Sequence, residues 1–455
     1  MSRVIHTKSL VNQMNCVRNY TSAAWRSVLR QDRSKIPTHK YPIAKPTDNR
    51  VYVWGMAATG ALGVQMSVKK QAKACADFVQ HPSRLNFAEN RDILNVAAGY
   101  GFSAFAAKCH NGQSLWGTGI NTDSQIGYHK HGGQHRKPFE MLIYPAPIDL
   151  TSVEGNNSKV EIVKVDAGRA HLLALAKNGT VYALGNNAYG QCGRAIVQGE
   201  DYFNKPRINK IQKLDSSADN VKDIACGQDH SFFLTESGRL FSCGWSDDGQ
   251  TGLGRFGFVC TPSLVKGDLE GENILKVAGS SDTVLALNDK GEVFGWGNSE
   301  YGQLNIDRDE NPQINSPRHL SFLKNIGKIT DIAAGGSYCI ALNENGDVFT
   351  WGYGMLGFGP EVTHRPGPTQ ISAALFGRND FNPNVRVRAV YAGLTHSGAI
   401  NEQDDLYMWG HNRHGCLGFG NQKDQFFPLK VAVSARVVTI SCGVDHTLAL
   451  CKAFV

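Results

Sequence analysis

The chain has 455 residues, of which 41% are hydrophobic and 49 are glycine, and its formal net charge is +7 at pH 7. No apolar stretch reaches the roughly 18 residues that a membrane-spanning helix needs, so the sequence excludes an integral helical membrane protein. Its 11 cysteines form no C-x-x-C pair, which argues against a zinc-binding or disulfide-stabilised domain.

Residues 1–45 differ in composition from the rest of the chain. They hold nine of the 47 basic residues and one of the 40 acidic residues, and residues 1–31 contain no acid. An acid-free leader with spaced arginines is typical of a mitochondrial transit peptide, although a disordered basic tail for nucleic acid has the same charge. Pro37, Pro42 and Pro46 favour an extended linker. We predict a disordered transit peptide and linker over residues 1–45 and a folded body over residues 46–455.

The folded body is close to neutral, with 38 basic and 39 acidic residues. Its net charge therefore offers no general attraction to nucleic acid, and only local patches could bind it. One such patch lies in the polar loop Tyr128–Pro147, which carries Lys130, Arg136 and Lys137. These three residues are the candidate contacts for RNA or for another partner.

One pattern recurs seven times through the body, most clearly over Val160–Gly193. An apolar run ends at Gly168, and a second begins at His171. Asn178-Gly179 then predicts a type I′ hairpin turn before a third run, which ends at Gly185. The pattern indicates three antiparallel strands and an irregular fourth segment. Such units at intervals of about 50–70 residues predict the blades of a β-propeller.

The two ends of the body complement each other. Val51–Gly55 reads as the third strand of a unit that has no hairpin partner before it. Ile440–Gly443 and His446–Cys451 read as the first two strands of a unit whose third strand is missing. Pairing these segments would close a ring and remove sheet edges that promote aggregation. We therefore predict an all-β, seven-bladed β-propeller with one blade shared by the N- and C-terminal ends.

The repeats resemble a known family. The motifs A-G-x-x-H, Asn-Gly, Trp-Gly and G-x-L-G are similar to those of the regulator of chromosome condensation family of seven-bladed propellers, as are residues 186–191 (NNAYGQ) and 298–304 (NSEYGQL). The resemblance covers residues 51–455, and together with the leader it points to the mitochondrial member of that family. It implies guanine nucleotide exchange: the propeller binds a nucleotide-free GTPase best and so speeds GDP release.

The resemblance also implies where a GTPase would bind. The family prototype uses an acidic residue in a Gly-Asn-Asp-His segment, and the matching residues 227–230 contain Gln228 and Asp229. The family inserts a wedge after the third Trp-Gly position, and the matching insertion here is Arg194–Lys213. That insertion contains Glu200, Asp201, Tyr202 and Phe203. These six residues are the GTPase-binding face that the resemblance implies.

No enzyme chemistry is predicted for this chain. The sequence shows no nucleophile–base–acid grouping and no phosphate-binding loop, so we expect no catalytic residue and no cofactor. Residues 352–357 (GYGMLG) fit G-x-G-x-x-G, but no helix follows them, as a dinucleotide site would require. Three histidines of the polar loop could ligate a metal, but glycines separate them and a solvated loop is the simpler interpretation: His129, His131 and His135.

Two functions remain open at this point. The first is an exchange factor for a mitochondrial GTPase, with the inner-membrane dynamin-like fusion GTPase as the candidate that the resemblance suggests. The second is a scaffold for mitochondrial ribosome assembly, which would bind ribosomal RNA or assembly proteins through Lys130, Arg136 and Lys137. Both place the protein in the mitochondrial matrix. Both also leave open a peripheral association with the inner membrane, which requires no transmembrane segment.

The leader can be tested apart from the body. Residues 1–45 fused to a fluorescent protein should enter the mitochondrial matrix, because the leader presents arginines without compensating acids. Imaging against a mitochondrial dye measures the outcome. The same fusion with Arg3, Arg18 and Arg26 changed to glutamine should remain in the cytosol. A cytosolic or nuclear signal from the unchanged leader would contradict the prediction.

Overall fold

The computed structural model describes residues 49–64, 77–130, 137–155, 159–305 and 312–454. The predicted leader lies outside these ranges. The described residues form seven four-stranded antiparallel sheets, which confirms the all-β, seven-bladed propeller. Across the same ranges, no helix has the length and apolarity to span a membrane.

Each blade is one sheet, and the strands are numbered in chain order. Blade 1 contains β3 (Ile93–Ala98), β4 (Phe102–His110), β5 (Gln113–Ile120) and β6 (Met141–Pro147). Blade 2 contains β7 (Ile162–Ala167), β8 (His171–Ala176), β9 (Val181–Gly185) and β10 (Asn209–Ile211). Blade 3 contains β11 (Val221–Cys226), β12 (His230–Thr235), β13 (Leu240–Gly244) and β14 (Val259–Leu264). Blade 4 contains β15 (Ile274–Ala278), β16 (Thr283–Asn288), β17 (Val293–Asn298) and β18 (Gln313–His319).

The remaining blades follow the same order. Blade 5 contains β19 (Ile329–Ala334), β20 (Tyr338–Asn343), β21 (Val348–Tyr353) and β22 (His364–Gln370). Blade 6 contains β23 (Val387–Ala392), β24 (His396–Asn401), β25 (Leu406–Gly410) and β26 (Gln425–Lys430). Blade 7 contains β27 (Arg436–Cys442), β28 (His446–Lys452), β1 (Asn49–Met56) and β2 (Phe78–Arg84). The described helices are short: one α-helical turn at Thr151–Glu154, and 3₁₀ turns at Asn86–Asn90, Gly267–Leu269, Ser321–Ile326, Ala373–Phe376 and Arg413–Gly415.

Two local predictions about the repeat need correction. The fourth segment forms an outer strand in every blade, although a register shift interrupts its pairing with the third strand in six of the seven blades. The hairpin at Asn178-Gly179 is not type I′, since only Gly179 has positive φ, at 82°. The Asn178 side chain instead accepts the Thr180 N–H at 3.1 Å, which fits a type I turn followed by a left-handed glycine. Both residues have positive φ at Asn111-Gly112.

The predicted closure of the ring is confirmed. Strand β1 from the start of the body pairs antiparallel with β28 from its end, from Asn49 opposite Lys452 to Gly55 opposite His446. Gly55 has φ of +107°, and a Cβ added there would lie 2.4 Å from the Asp445 carbonyl oxygen. Only glycine fits this position of the closing pair.

Adjacent blades are held together by polar bonds between their first strands. The Asp166 carboxylate of β7 accepts the Cys226 N–H of β11 at 2.7 Å. The Asp331 carboxylate of β19 accepts the Val390 N–H of β23 at 2.9 Å. These cross-blade bonds place the first strands next to one another around the central axis. Apolar clusters fill the space between successive sheets.

A second set of cross-blade bonds joins the second strands. A buried ring at the start of one blade's second strand meets a hydroxyl of the next blade. The pairs are His171–Ser231, Tyr338–Ser397, His396–Thr447 and His446–Ser103, at 3.1, 3.0, 3.3 and 2.9 Å. We call these four pairs the ring–hydroxyl belt. His230 departs from it, because Val284 stands where the next hydroxyl would be, and the His230 Nε2 has no hydrogen-bond partner among the described residues.

The propeller has two faces. One face carries the turns between first and second strands and the loops between third and fourth strands. We call it the aspartate face, because Asp229, Asp282 and Asp445 lie in those turns. The opposite hairpin face carries the Asn-Gly turns and the connections between blades. The two faces therefore present different sets of loops at the surface.

The belt makes stability sensitive to acid. Burial lowers the pKa of His446 from 6.5 to about 4, so between those values the unfolded chain binds a proton that the native chain does not. The free energy of unfolding of the wild type should therefore fall, relative to His446→Gln, as pH drops from 6.5 to 4. Burial raises the pKa of Asp166 to about 6. Asp166 is present in both proteins, so its contribution to the pH dependence cancels in the comparison.

Urea unfolding of the two proteins at several pH values measures this difference. His364→Gln, at an exposed site, is the control and should leave the pH dependence unchanged. Parallel curves for the wild type and His446→Gln between pH 4 and 6.5 would contradict a neutral, buried imidazole.

Candidate functional site

Asp229 lies in the turn between β11 and β12, on the aspartate face. Its residue is only 8% exposed, and its carboxylate forms an ion pair with Arg169 of blade 2. The Arg169 Nε–H donates to Oδ1 at 3.2 Å, and the Arg169 backbone N–H donates to the Gln228 carbonyl at 2.8 Å. Burial raises the pKa of Asp229, and the Arg169 guanidinium opposes that rise. The carboxylate is therefore fixed between two blades rather than free at the surface.

Gln228 extends the same link to blade 4. Its Nε2 donates to the Ser281 hydroxyl at 2.8 Å, and the side chain is half-buried. Arg169, Gln228, Asp229 and Ser281 thus join three consecutive blades around the central axis. A partner that contacts this turn meets a surface whose geometry is set by all three blades.

Tyr100 marks the centre of this face. Its hydroxyl is buried and has no hydrogen-bond partner within the described ranges. Burial raises the pKa of Tyr100, the Arg169 charge lowers it, and the carboxylates of Asp229, Asp282 and Asp445 raise it further. These influences place one guanidinium and three carboxylates from four blades near the same hydroxyl. The centre of the aspartate face is therefore acidic.

The predicted wedge, Arg194–Lys213, follows β9 and includes β10, the fourth strand of blade 2, so the part that lies outside the sheet is mainly the loop between those two strands. Glu200 does not project from it, because its side chain is 4% exposed and accepts two hydrogen bonds from Arg194, at 2.9 and 2.7 Å. Arg207 approaches the same carboxylate at 3.7 Å. This pairing closes the base of the insertion, so Glu200 holds the loop in shape.

The other wedge residues differ in exposure. Asp201 is exposed and accepts the Asn204 backbone N–H at 2.9 Å. Tyr202 and Phe203 are half-buried, and the Phe203 carbonyl accepts a hydrogen bond from Ser124 of blade 1 at 3.3 Å. Of the six predicted residues, Asp201 is therefore the most accessible to a partner, and the others mainly shape the face.

Trp245 was not singled out from the sequence, yet it connects the predicted features. In four other repeats the tryptophan precedes the closing glycine and is fully buried: Trp54, Trp296, Trp351 and Trp409. Trp245 instead follows Gly244 and lies half-buried on the aspartate face. Its backbone N–H donates to the Asp229 carbonyl at 2.9 Å, and its ring packs edge-on against Tyr189 at 4.5 Å. The available sequence signal was the shift of this tryptophan by two positions, from the residue before the closing glycine to the residue after it.

The basic patch is described only in part. Lys130 and Lys137 are exposed, and a bridge between Lys130 and Pro138 brings the two ends of their loop together. Arg136 lies outside the described residues. His129 Nε2 bonds the Ile126 carbonyl at 2.8 Å, and burial lowers the pKa of that ring. In the part of the chain that the structure covers, no cluster of three or more His, Cys, Asp or Glu could hold a metal.

Comparisons with known proteins match most of the chain. Residues 39–380 match the family model described as RCC1-like domain, and residues 403–450 match the regulator of chromosome condensation (RCC1) repeat. The human RCC1-like G exchanging factor-like protein is 40% identical over 415 residues, which cover 90% of this chain and 88% of the relative. The crystal structure of human WBSCR16 has a TM-score of 0.81 and 40% identity, covering 90% of this chain and 100% of that chain. Yeast Prp20p shares the fold, with a TM-score of 0.70 at 21% identity, over 92% of this chain and 94% of its own.

The buried pair predicts a structural cost at Asp229. Asp229→Ala should lower the free energy of unfolding by about 1–3 kcal/mol, because it removes the acceptor of a part-buried guanidinium. Arg169→Ala should cost a similar amount, since it leaves a buried carboxylate without its cation. The double variant should lose less than the sum of the two, and chemical denaturation of all three variants measures the coupling. Additive losses would show that the pair contributes no interaction energy.

Proposed function

Because this chain belongs to the regulator of chromosome condensation (RCC1-like) family, we propose that it is a guanine nucleotide exchange factor for a mitochondrial GTPase. The candidate is the inner-membrane dynamin-like fusion GTPase, met in the matrix or at the inner membrane. The GTPase would contact the aspartate face. Asp201 of the wedge would meet it at the surface, and Asp229, Gln228 and the rest of the wedge would support that contact from beneath.

The observation that carries the proposal is the fixed position of the wedge beside Asp229. The insertion is closed at its base by Arg194 and Glu200 and tied to blade 1 through Phe203. The Tyr189–Trp245 contact links its root to the Asp229 turn. A loop held in one shape loses little conformational entropy when it binds, so more of its contact energy remains for changing the partner.

Exchange needs no bond chemistry from the propeller. A surface that binds the nucleotide-free GTPase more tightly than the GDP-bound form must, by linkage, weaken GDP binding by the same factor. The acidic centre and the rigid wedge are suited to displacing groups around the nucleotide, since their geometry does not have to reorganise. The protein would act as a regulator and not as a catalyst with its own substrate.

A scaffold in mitochondrial ribosome assembly is the second candidate. The supporting observation is that Lys130 and Lys137 are both exposed at the neck of one loop, where they could meet phosphates. The near-neutral charge of residues 46–455 makes general RNA binding weaker support than a local contact would be. We therefore rank this function second.

Release of fluorescent GDP from the purified candidate GTPase tests the first function. The wild-type propeller should accelerate release, and Asp201→Lys should reduce that acceleration several-fold, because it reverses an exposed charge on the wedge. Asp380→Lys is the matched control: it reverses an exposed charge on the hairpin face and should exchange like the wild type.

Failure of the wild type to accelerate release would contradict the exchange function. In that event, binding to a ribosomal RNA fragment at several salt concentrations tests the scaffold. Neutralising Lys130 and Lys137 together should reduce the salt dependence by about one unit for each phosphate that the protein no longer neutralises. An unchanged slope would reject binding of phosphates by these two lysines.

A further inference from the structure

We propose that Trp245, Phe256 and Phe258 form an apolar docking patch that seats the GTPase, and we call it the blade 3 patch. The inference rests on the proposed function and assigns its partner a specific contact. The occupant is a protein surface with exposed apolar side chains, on the same GTPase that the wedge meets. The repeat pattern does not mark Phe256 and Phe258, because they lie in the loop between β13 and β14.

The loop presents its aromatic rings to solvent. Phe256 is 46% exposed and Phe258 is 57% exposed, and Arg255 beside them is also exposed. Large apolar side chains grouped at a surface contribute little to folding and often mark an interaction site. Arginine and aromatic residues are also the types most enriched at the energetic centres of protein interfaces.

The backbone of the loop is shaped by glycines that packing does not require. Gly254 and Gly257 have φ of +72° and +91°, yet a Cβ added to either would meet no atom within 4 Å. Their left-handed conformation therefore serves the path of the chain and not a close contact. That path holds Phe256 and Phe258 outward on either side of Gly257, so the patch is formed before any partner arrives.

Two backbone hydrogen bonds connect the patch to the predicted GTPase contact. The Gly257 N–H donates to the Ser246 carbonyl at 3.2 Å, which brings the loop back to the residue after Trp245. The Trp245 N–H donates to the Asp229 carbonyl at 2.9 Å. Blade 3 therefore carries Asp229 at its inner end and the aromatic loop further out, on one face.

Trp245 also links the patch to the wedge. Its ring contacts Tyr189, five residues before Arg194, where the insertion begins. Asp229, the wedge and the aromatic loop thus converge on one half-buried tryptophan. A partner large enough to touch both the wedge and Asp229 would cover this position.

The local charge favours a protein over RNA as the occupant. Arg255 is an exposed cation in the patch loop, but Asp247 is exposed two residues after Trp245, Asp201 is exposed on the neighbouring wedge, and the centre of the face is acidic. Carboxylates around the aromatic rings would repel a phosphate backbone, which nucleic-acid stacking platforms instead attract with basic grooves. We therefore commit to the GTPase and treat single-stranded RNA as an alternative outcome.

The experiment compares two exposed aromatic sites on opposite faces. The test variant is Phe256→Ser with Phe258→Ser, and the control is Phe381→Ser. Phe381 is 95% exposed on the hairpin face, in the connection between blades 5 and 6, so its replacement removes apolar surface without touching the aspartate face. Full-length proteins are assayed for release of fluorescent GDP from the candidate GTPase and for melting temperature.

The double variant should need at least a tenfold higher concentration than the wild type for half-maximal release, with its melting temperature unchanged. The control should match the wild type in both measurements. Phe256→Leu with Phe258→Leu should recover most of the activity, because it restores apolar surface without the rings. That recovery would separate apolar docking from a general disturbance of the loop.

The two possible failures can be told apart. A wild type that neither accelerates GDP release nor binds the nucleotide-free GTPase overturns the proposed function, and the patch assignment with it. An active wild type with a double variant equal to the control overturns the patch alone. A double variant that exchanges normally but loses binding to oligouridylate also overturns it, because the loop would then be an RNA platform.

Discussion

The bonds between neighbouring blades are the constraint on which the rest of this propeller depends. No single sheet can bury both of its faces, so each blade is completed by apolar contact with the next. The ring–hydroxyl belt gives that contact a defined geometry, because a buried imidazole or phenol must find a partner at a specific place in the adjacent blade. Pairing of β1 with β28 carries the same requirement across the gap between the chain ends.

The predicted contact region inherits this dependence. The Asp229 carboxylate is paired with a guanidinium from blade 2, and its turn is bonded to blades 2 and 4. A buried charge of this kind is stable only while its partner stays in place. The acidic residue therefore belongs both to the structure and to the face that we propose as the GTPase contact.

The aspartate face combines rigid and accessible parts. Glu200 and Arg194 close the wedge, and Trp245 joins the wedge to the Asp229 turn. Asp201, Phe256 and Phe258 lie at the surface above this framework. Exchange by binding requires a surface that keeps its shape while the partner changes, and this division of roles meets that requirement.

The sequence alone determined the fold class, the seven blades and the shared closing blade. Each of these follows from local patterns, namely apolar runs, Asn-Gly turns and closing glycines, that repeat along the chain. The position of Asp229 was also available from its motif, but its burial was not. Its partner Arg169 is 60 residues away, and only the packing of blade 2 on blade 3 brings them together.

Tertiary structure likewise decided how the belt is formed and which side chains the surface presents. The hydroxyl that meets each ring comes from the next repeat, so no pattern within one repeat could identify it. Glu200 was predicted to contact a partner, but its ion pair with Arg194 leaves its side chain buried. Trp245 and the two phenylalanines form one patch because hydrogen bonds fold the loop back onto blade 3. Periodicity along a chain specifies strands and their order, whereas contacts between distant residues depend on how the finished sheets pack.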